Sequence, residues 1–235
     1  MIKQSFFFLL TISIVFTFSC KQPDQAPTDL RIKDFDTTKA MQFAKSIDTT
    51  IKPELADGLT LNLWGIDSLV ISPIGIDIDD NGSLYYTTTN RQKNSEFDIR
   101  GHRDWEIPSI SLQTIEDKRN FLHTELSPEN SARNTWLKDL NGDSSHDWRD
   151  MTIEKENVYR LDDRNGDGVA DRAQMVVNDF NDEVTDVLGV VLAHGKYLYL
   201  AVAPDLWKVK DKNVDGLVDE KVSLSNGYGI HIGFG

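Results

Sequence analysis

Apolar and polar positions change their spacing several times along this 235-residue chain. Phe6 to Phe18 is an apolar run broken only by Thr and Ser. Between Asp36 and Ile47, the residues Ala40, Met41, Ala44 and Ile47 are spaced for one helix face and predict a short helix. Leu59-Thr-Leu-Asn-Leu-Trp64 then alternates as a half-buried strand does. Pro73 to Thr87 reads as two strands joined at Asn81-Gly82, a pair suited to a tight hairpin turn. A second hairpin runs from Val187 to Ala193, turns at His194-Gly195 and returns through Tyr197 to Val202. Between the hairpins lies a polar insertion of about residues 90–156. It contains one predicted helix with Leu112, Ile115, Leu122 and Leu126 on a face.

An internal repeat organises these pieces. Val158-Tyr-Arg-Leu-Asp-Asp-Arg-Asn-Gly-Asp-Gly-Val-Ala-Asp171 aligns without gaps on Leu206-Trp-Lys-Val-Lys-Asp-Lys-Asn-Val-Asp-Gly-Leu-Val-Asp219, an offset of 48 residues. A period of roughly 40–50 residues suits a propeller blade. The second copy divides into four strands, at about 186–193, 196–202, 205–210 and 219–225. Four short antiparallel strands per period describe a blade. The first copy fits the same plan, with the 90–156 insertion between its second and third strands. The expected fold class is therefore all-β: an incomplete β-propeller of about two four-stranded blades and the start of a third, with a partly helical insertion. Propellers close with at least about four blades, so the chain is expected to be the N-terminal fragment of a longer one. The expected divisions are 1–20 as a signal peptide, 21–54 as a tether with a short helix, and 55–235 as the propeller part.

Charge narrows the partners. The formal net charge of −13 repels nucleic-acid phosphates, so nucleic acid is not expected as a partner. The single cysteine, Cys20, excludes an intramolecular disulfide. Lys3, the apolar run and Ser19-Cys20 followed by a polar stretch have the form of a signal peptide. With cysteine after the small residue, the segment resembles a bacterial lipoprotein signal. Cys20 is then a lipid anchor, placing the protein in the cell envelope outside the cytoplasm with the membrane as a partner. An uncleaved membrane anchor is the alternative.

The carboxylates cluster in turns. Asp163, Asn165, Asp167 and Asp171, and again Asp211, Asn213, Asp215 and Asp219, have the spacing of a calcium loop. Oxygen side chains at positions 1, 3 and 5 converge, and glycine at position 6 permits the sharp turn. Position 12 is Gln174 or Val222 rather than the bidentate Glu of an EF-hand, so Asp171 and Asp219 at position 9 are expected to complete the shell. Side-chain-capped turns without metal are the alternative. A weaker candidate is Asp139, Asn141, Asp143 and Asp147, with Ser144 where glycine belongs. Arg91, Lys93, Arg100, His102 and Arg103 beside Trp105 form a basic cluster. It either binds an anionic small molecule or pairs with nearby acids in a solvated loop. His123 and His194 read as structural, and His231 stands in a Gly-rich run. No residue stands out as catalytic.

Ala56-Asp-Gly-Leu-Thr-Leu61, Pro73-Ile-Gly-Ile-Asp-Ile-Asp-Asp-Asn-Gly-Ser-Leu-Tyr85, Asp147-Trp-Arg-Asp150, Val158-Tyr-Arg-Leu-Asp-Asp163 and Pro204-Asp-Leu-Trp-Lys-Val209 together resemble a bacterial family. These are the putative membrane-bound dehydrogenases, whose propeller is similar to quinoprotein (PQQ) glucose/sorbosone dehydrogenases. The resemblance covers about residues 55–235. It implies oxidation of a sugar or alcohol, PQQ and haem c as cofactors of the full-length parent, and a downstream cytochrome c domain or protein with a CxxCH motif as partner. This piece alone is expected to be inactive. The rival expectation is a non-catalytic, calcium-stabilised surface propeller that binds glycans or proteins, since propellers host many functions.

Overall fold

The computed structural model describes residues 29–92, 94–95 and 99–232. The signal segment, Cys20 and Lys93 lie outside the described residues. The structure is mostly β, in two antiparallel sheets that do not close on each other into a barrel or ring.

Sheet 1 contains β1 (Ile32–Asp34), β2 (Ile76–Ile78), β3 (Leu84–Thr88), β4 (Glu156–Asp162) and β5 (Arg172–Asp179), in the order β1-β5-β4-β3-β2. Sheet 2 is a meander of β6 (Leu188–His194), β7 (Tyr197–Val202), β8 (Asp205–Lys210) and β9 (Glu220–Asn226). The repeat holds down to its irregularities. The β4–β5 ladder shifts register between Val158 and Tyr159, leaving Val176 of β5 as the extra residue, and 48 residues on the β8–β9 ladder shifts between Leu206 and Trp207, leaving Leu224 of β9. Local alternation and turn residues thus placed the four strands of the second copy to within about two residues.

Two expectations change. Residues 59–64 form no strand; Leu59 and Leu61 are exposed, while Leu63 and Trp64 pack on the core. Alternation gives a strand only where a neighbour accepts the ladder, and here the backbone contact is an isolated one, Ala170 N–H to the Trp64 carbonyl. The position of the fifth strand was also unforeseen. Short, charged β1 pairs with the outer edge of β5, and Asp34 accepts from Arg172 across that pairing.

Helix α1 (Thr37–Thr50) begins where Asp36 accepts the Lys39 N–H, a stabilising N-cap. Its Ala40 and Ala44 pack with Ile66, Leu69, Tyr86, Leu161 and Ala173 on one face of sheet 1. The other face of sheet 1 packs on sheet 2 through Val158, Val177, Leu188, Val191, Leu198, Leu200 and Val202. Consequently α1 and residues 63–70 cover sheet 1 as sheet 1 covers sheet 2. The far face of sheet 2 stays uncovered: Val190, Leu192, Leu206, Val222 and Leu224 are all exposed.

The insertion between β3 and β4 holds α2 (Glu106–Ile110) and α3 (Ile115–Glu125) with several 3-10 turns. Thr114 and Asp117 form a reciprocal capping box at the start of α3. Leu112, Leu122 and Leu126 join Ile99, Trp105, Leu137, Met151, Val184 and Ile232 in a third apolar cluster. Among the described residues no helix is long and apolar enough to cross a membrane.

Opposite faces of β6 make a test. Leu188 is fully buried between the sheets, whereas Leu192 is half exposed. Leu188→Ala should cost about 2–5 kcal/mol of unfolding free energy, and Leu192→Ala no more than about 0.5 kcal/mol, both read from urea unfolding.

Candidate functional site

Antiparallel strands send alternate turns to opposite ends of a sheet. The turns at 163–171 and 211–219 join β4 to β5 and β8 to β9, so both lie at the end that also carries the β2–β3 and β6–β7 turns. The insertion, the β7–β8 turn and the residues leading into β6 lie at the other end. Contacts across the sheets agree: Ala193 N–H donates to Asp77 at the first end, and Leu188 N–H to Glu156 at the second.

The two motif turns are built alike. Asp163 Oδ1 accepts from Gly166 N–H at 2.8 Å and Oδ2 from Gly168 N–H at 2.8 Å. Asp211 accepts in the same way from Val214 and Gly216, both at 2.7 Å. Asn165 and Asn213 accept from Asp167 and Asp215, and those aspartates accept from Val169 and Leu217. Positions 4 and 6 are left-handed in both, at φ +71° and +92° in the first turn and +62° and +90° in the second. Gly216 admits no other residue without strain, because a Cβ there would also lie 2.2 Å from Gln174 Nε2. Gln174 Nε2 in turn donates to the Gly216 carbonyl, and Val218 N–H to the Val176 carbonyl, docking the second turn on β5.

Position 9 differs between the copies. Asp219 accepts the Lys212 N–H at 2.7 Å. Asp171 is buried; its Oδ1 accepts from Arg164 Nε at 2.5 Å, while Oδ2 has no hydrogen-bond partner. Among the described residues, no group of three or more His, Cys, Asp or Glu side chains is gathered closely enough to hold a metal as the turns stand. The carboxylates turn toward backbone amides instead. A carboxylate offers about four lone-pair sites, so these bonds do not exhaust it.

The third candidate, 139–147, repeats the same bonds. Asp139 accepts from Gly142 and Ser144, Asn141 from Asp143, and Asp143 from Ser145. Ser144 takes the left-handed position at φ +67°. Asp147, however, grips Arg149 rather than the turn's second residue, which bonds to Asp150.

The basic cluster does not form as a unit. Arg91 is fully buried and donates to the carbonyls of Phe180, Thr185 and Asp182 and to the Thr185 hydroxyl, so it is closed to an exposed anion. His102 stacks on Trp105 and meets Trp136 at a tilt, and burial pushes its pKa down. Arg100 and Arg103 are exposed. His231 Nδ1 lies 2.8 Å from the Ser109 carbonyl.

What sequence reasoning missed is a cavity of about 520 Å³ at the insertion end. Leu122, Met151, Val187, Ala203 and Tyr228 supply its apolar wall, and Lys118, Glu183, Asp186 and Asp205 its charges. Buried Lys118 donates to Asp186 at 3.0 Å and to the Gly229 carbonyl at 3.1 Å. Buried Glu183 accepts from Arg119 and lies 2.8 Å from His123, which stacks on Trp148. A signal was present: Lys118 falls on the apolar stripe of α3, between Ile115 and Leu122, where a charge needs a buried partner.

Asp147 gives this region a pH signature. The Arg149 side chain holds its carboxyl at about 2, below the ordinary 3.8. A depressed carboxyl contributes stability that is complete above its unfolded value and lost as pH falls through the folded one. Urea unfolding of the native chain should therefore weaken between about pH 4 and pH 2, and Asp147→Asn should flatten that part of the profile. An unchanged slope in the variant would show that the pair contributes nothing.

Neither the curated proteins nor the solved structures give a match. A family model described as a domain of unknown function, DUF7133, matches residues 45–231, which takes in the C-terminal end of α1, strands β2 to β9, the insertion and all three acidic turns. The chain belongs to the DUF7133 family.

Proposed function

We propose that this chain is a calcium-braced part of a β-propeller in an exported, lipid-anchored protein. The observation that carries this reading is the shared hydrogen-bond set of the turns at 163–171 and 211–219, reproduced bond for bond in two copies of one repeat. The partnerless buried oxygen of Asp171 supports it, since a buried carboxylate oxygen without a donor is costly unless a cation meets it. Calcium would be held by Asp163, Asn165, Asp167 and Asp171, and by Asp211, Asn213, Asp215 and Asp219, after small rotations of these side chains.

Support for the propeller comes from translating the repeat. Val158 and Val176 are buried against sheet 2, while their counterparts Leu206 and Leu224 are 38% and 50% exposed. A further sheet stacked on sheet 2 would bury them as sheet 2 buries the first pair.

On the family resemblance, the whole protein is a quinoprotein-like sugar or alcohol dehydrogenase, with the cavity at the insertion end facing the substrate. PQQ, a tricarboxylate, does not fit the described residues of that cavity: three carboxylates line it against one lysine, already paired with Asp186. Haem c attachment needs two cysteines, and these 235 residues hold one. The redox groups are therefore assigned to no residue here. The rival reading, a non-catalytic propeller that binds glycans or proteins, is favoured by one observation. Lys118, Glu183 and Asp205 on the cavity wall are each already bonded to protein partners.

Calcium should raise the melting temperature by mass action, as any ligand of the folded state does. Magnesium should do so poorly, since its small octahedral shell suits such turns badly. Asp167→Ala or Asp215→Ala should remove part of the response, and the double variant more. Isothermal titration showing no calcium binding at millimolar concentration would reduce the turns to capped loops.

The anchor is tested separately. Palmitate should label the protein and drive it into detergent, and Cys20→Ala should abolish both effects, because acyl chains are what hold such a protein at a membrane. Equal labelling of the variant would remove Cys20 from the account.

A further inference from the structure

The three acidic turns share one backbone design and differ in what meets their carboxylates at positions 5 and 9. In 163–171, Asp167 Oδ2 receives only the Asn165 side chain within the turn; Asp171 Oδ1 accepts from Arg164, which pairs with Asp34 as its second carboxylate, and Asp171 Oδ2 receives nothing. In 211–219, Asp215 is half exposed and stands 3.5 Å from an Arg31 nitrogen. In 139–147 the two positions are bridged. Arg149 Nη2 lies 3.0 Å from Asp143 Oδ2 and 2.6 Å from Asp147 Oδ2, while its Nε lies 2.9 Å from Asp147 Oδ1. One cationic group thus spans the two carboxylates that a divalent ion would span.

The backbone fixes this arginine in place. Asp147 and Asp150 form a capping box on the 3-10 turn that carries it. Fully buried Asp150 also accepts from Leu140 and Asn141 with its other oxygen, tying the acidic turn to the segment that follows it. A guanidinium is planar, forked and charged at every accessible pH, so this cation is present without any metal supply.

We propose that Arg149 is the resident cation of the third turn, so that calcium loads the turns at 163–171 and 211–219 while 139–147 is held closed without metal. The proposal rests on the calcium reading of the other two turns, and it adds that this arginine decides which turns take metal. Ser144, left-handed at φ +67°, stands where the other two turns have glycine.

Amide hydrogen exchange, read peptide by peptide on the full chain with calcium or with chelator, tests it without any variant. Peptides covering 163–171 and 211–219 should gain protection with calcium, and the peptide covering 139–147 should not change. Calcium-dependent protection of 139–147 in the unaltered chain would overturn the proposal. In Arg149→Gln, that peptide should lose protection roughly tenfold or more in chelator, the scale of losing a charge-assisted contact, and should recover it when calcium is added. Arg149→Lys, which keeps the charge without the fork, should lose less. Unchanged protection in Arg149→Gln, or a loss that calcium does not restore while it protects the other two turns, would also overturn it. If 163–171 and 211–219 ignore calcium while Arg149→Gln loosens 139–147, the calcium reading fails and the arginine clamp stands.

Discussion

Arg91 leaves the end of β3 and enters the seam where sheet 1, sheet 2 and the insertion meet, and no part of its side chain reaches solvent. Removing a guanidinium from water costs several kcal/mol unless its donors are met. Here the two terminal nitrogens are met by carbonyls of the segment between β5 and β6, at Phe180, Asp182 and Thr185. Glu156, at the start of β4, is equally buried; it accepts from Thr89 and from the Leu188 N–H, and burial raises its pKa. The Glu156–Leu188 bond joins the start of β4 in sheet 1 to the start of β6 in sheet 2, and the Arg91 bonds hold the segment that connects β5 to β6. The stacking of the sheets, with its apolar contacts at Val158, Leu188 and Leu200, is thus tied at this seam by buried polar groups that would lose their partners if the connection shifted.

The same constraint separates what the sequence makes legible from what it hides. The strands of the second copy and the helix at Ala40 and Ala44 follow from local periodicity. The acidic turns follow from short-range side-chain bonds that Asp and Asn make to their own backbone. Arg91 was legible only as a charge among other charges. Its burial depends on carbonyls about ninety residues away, and no window of sequence brings these together. Pairing of β1 with β5 is hidden for the same reason. Lys118 lay between: its place on an apolar stripe signals a buried partner, but Asp186 as that partner comes from the fold.

The molecule is also asymmetric along its stack. One outer face of sheet 1 is sealed by α1 and residues 63–70, whereas the outer face of sheet 2 presents Val190, Leu206, Val222 and Leu224 to solvent. The edges differ in turn: β1 is three residues long and charged, a form that discourages edge pairing. Growth by stacking is thus open in one direction, and growth by strand addition is discouraged at β1.

The position of β1 carries a consequence for orientation. Arg31, just before it, touches Asp215, and Asp34 at its end pairs with Arg164 and Arg172, so β1 emerges among the acidic turns. Cys20 precedes Ile32 by twelve residues, a distance of no more than about 40 Å even when fully extended. A lipid on Cys20 would leash the turn-bearing end of the sheets within that distance of the bilayer. On the anchor proposal, the insertion and its cavity sit at the end of the strands opposite the one from which that leash departs.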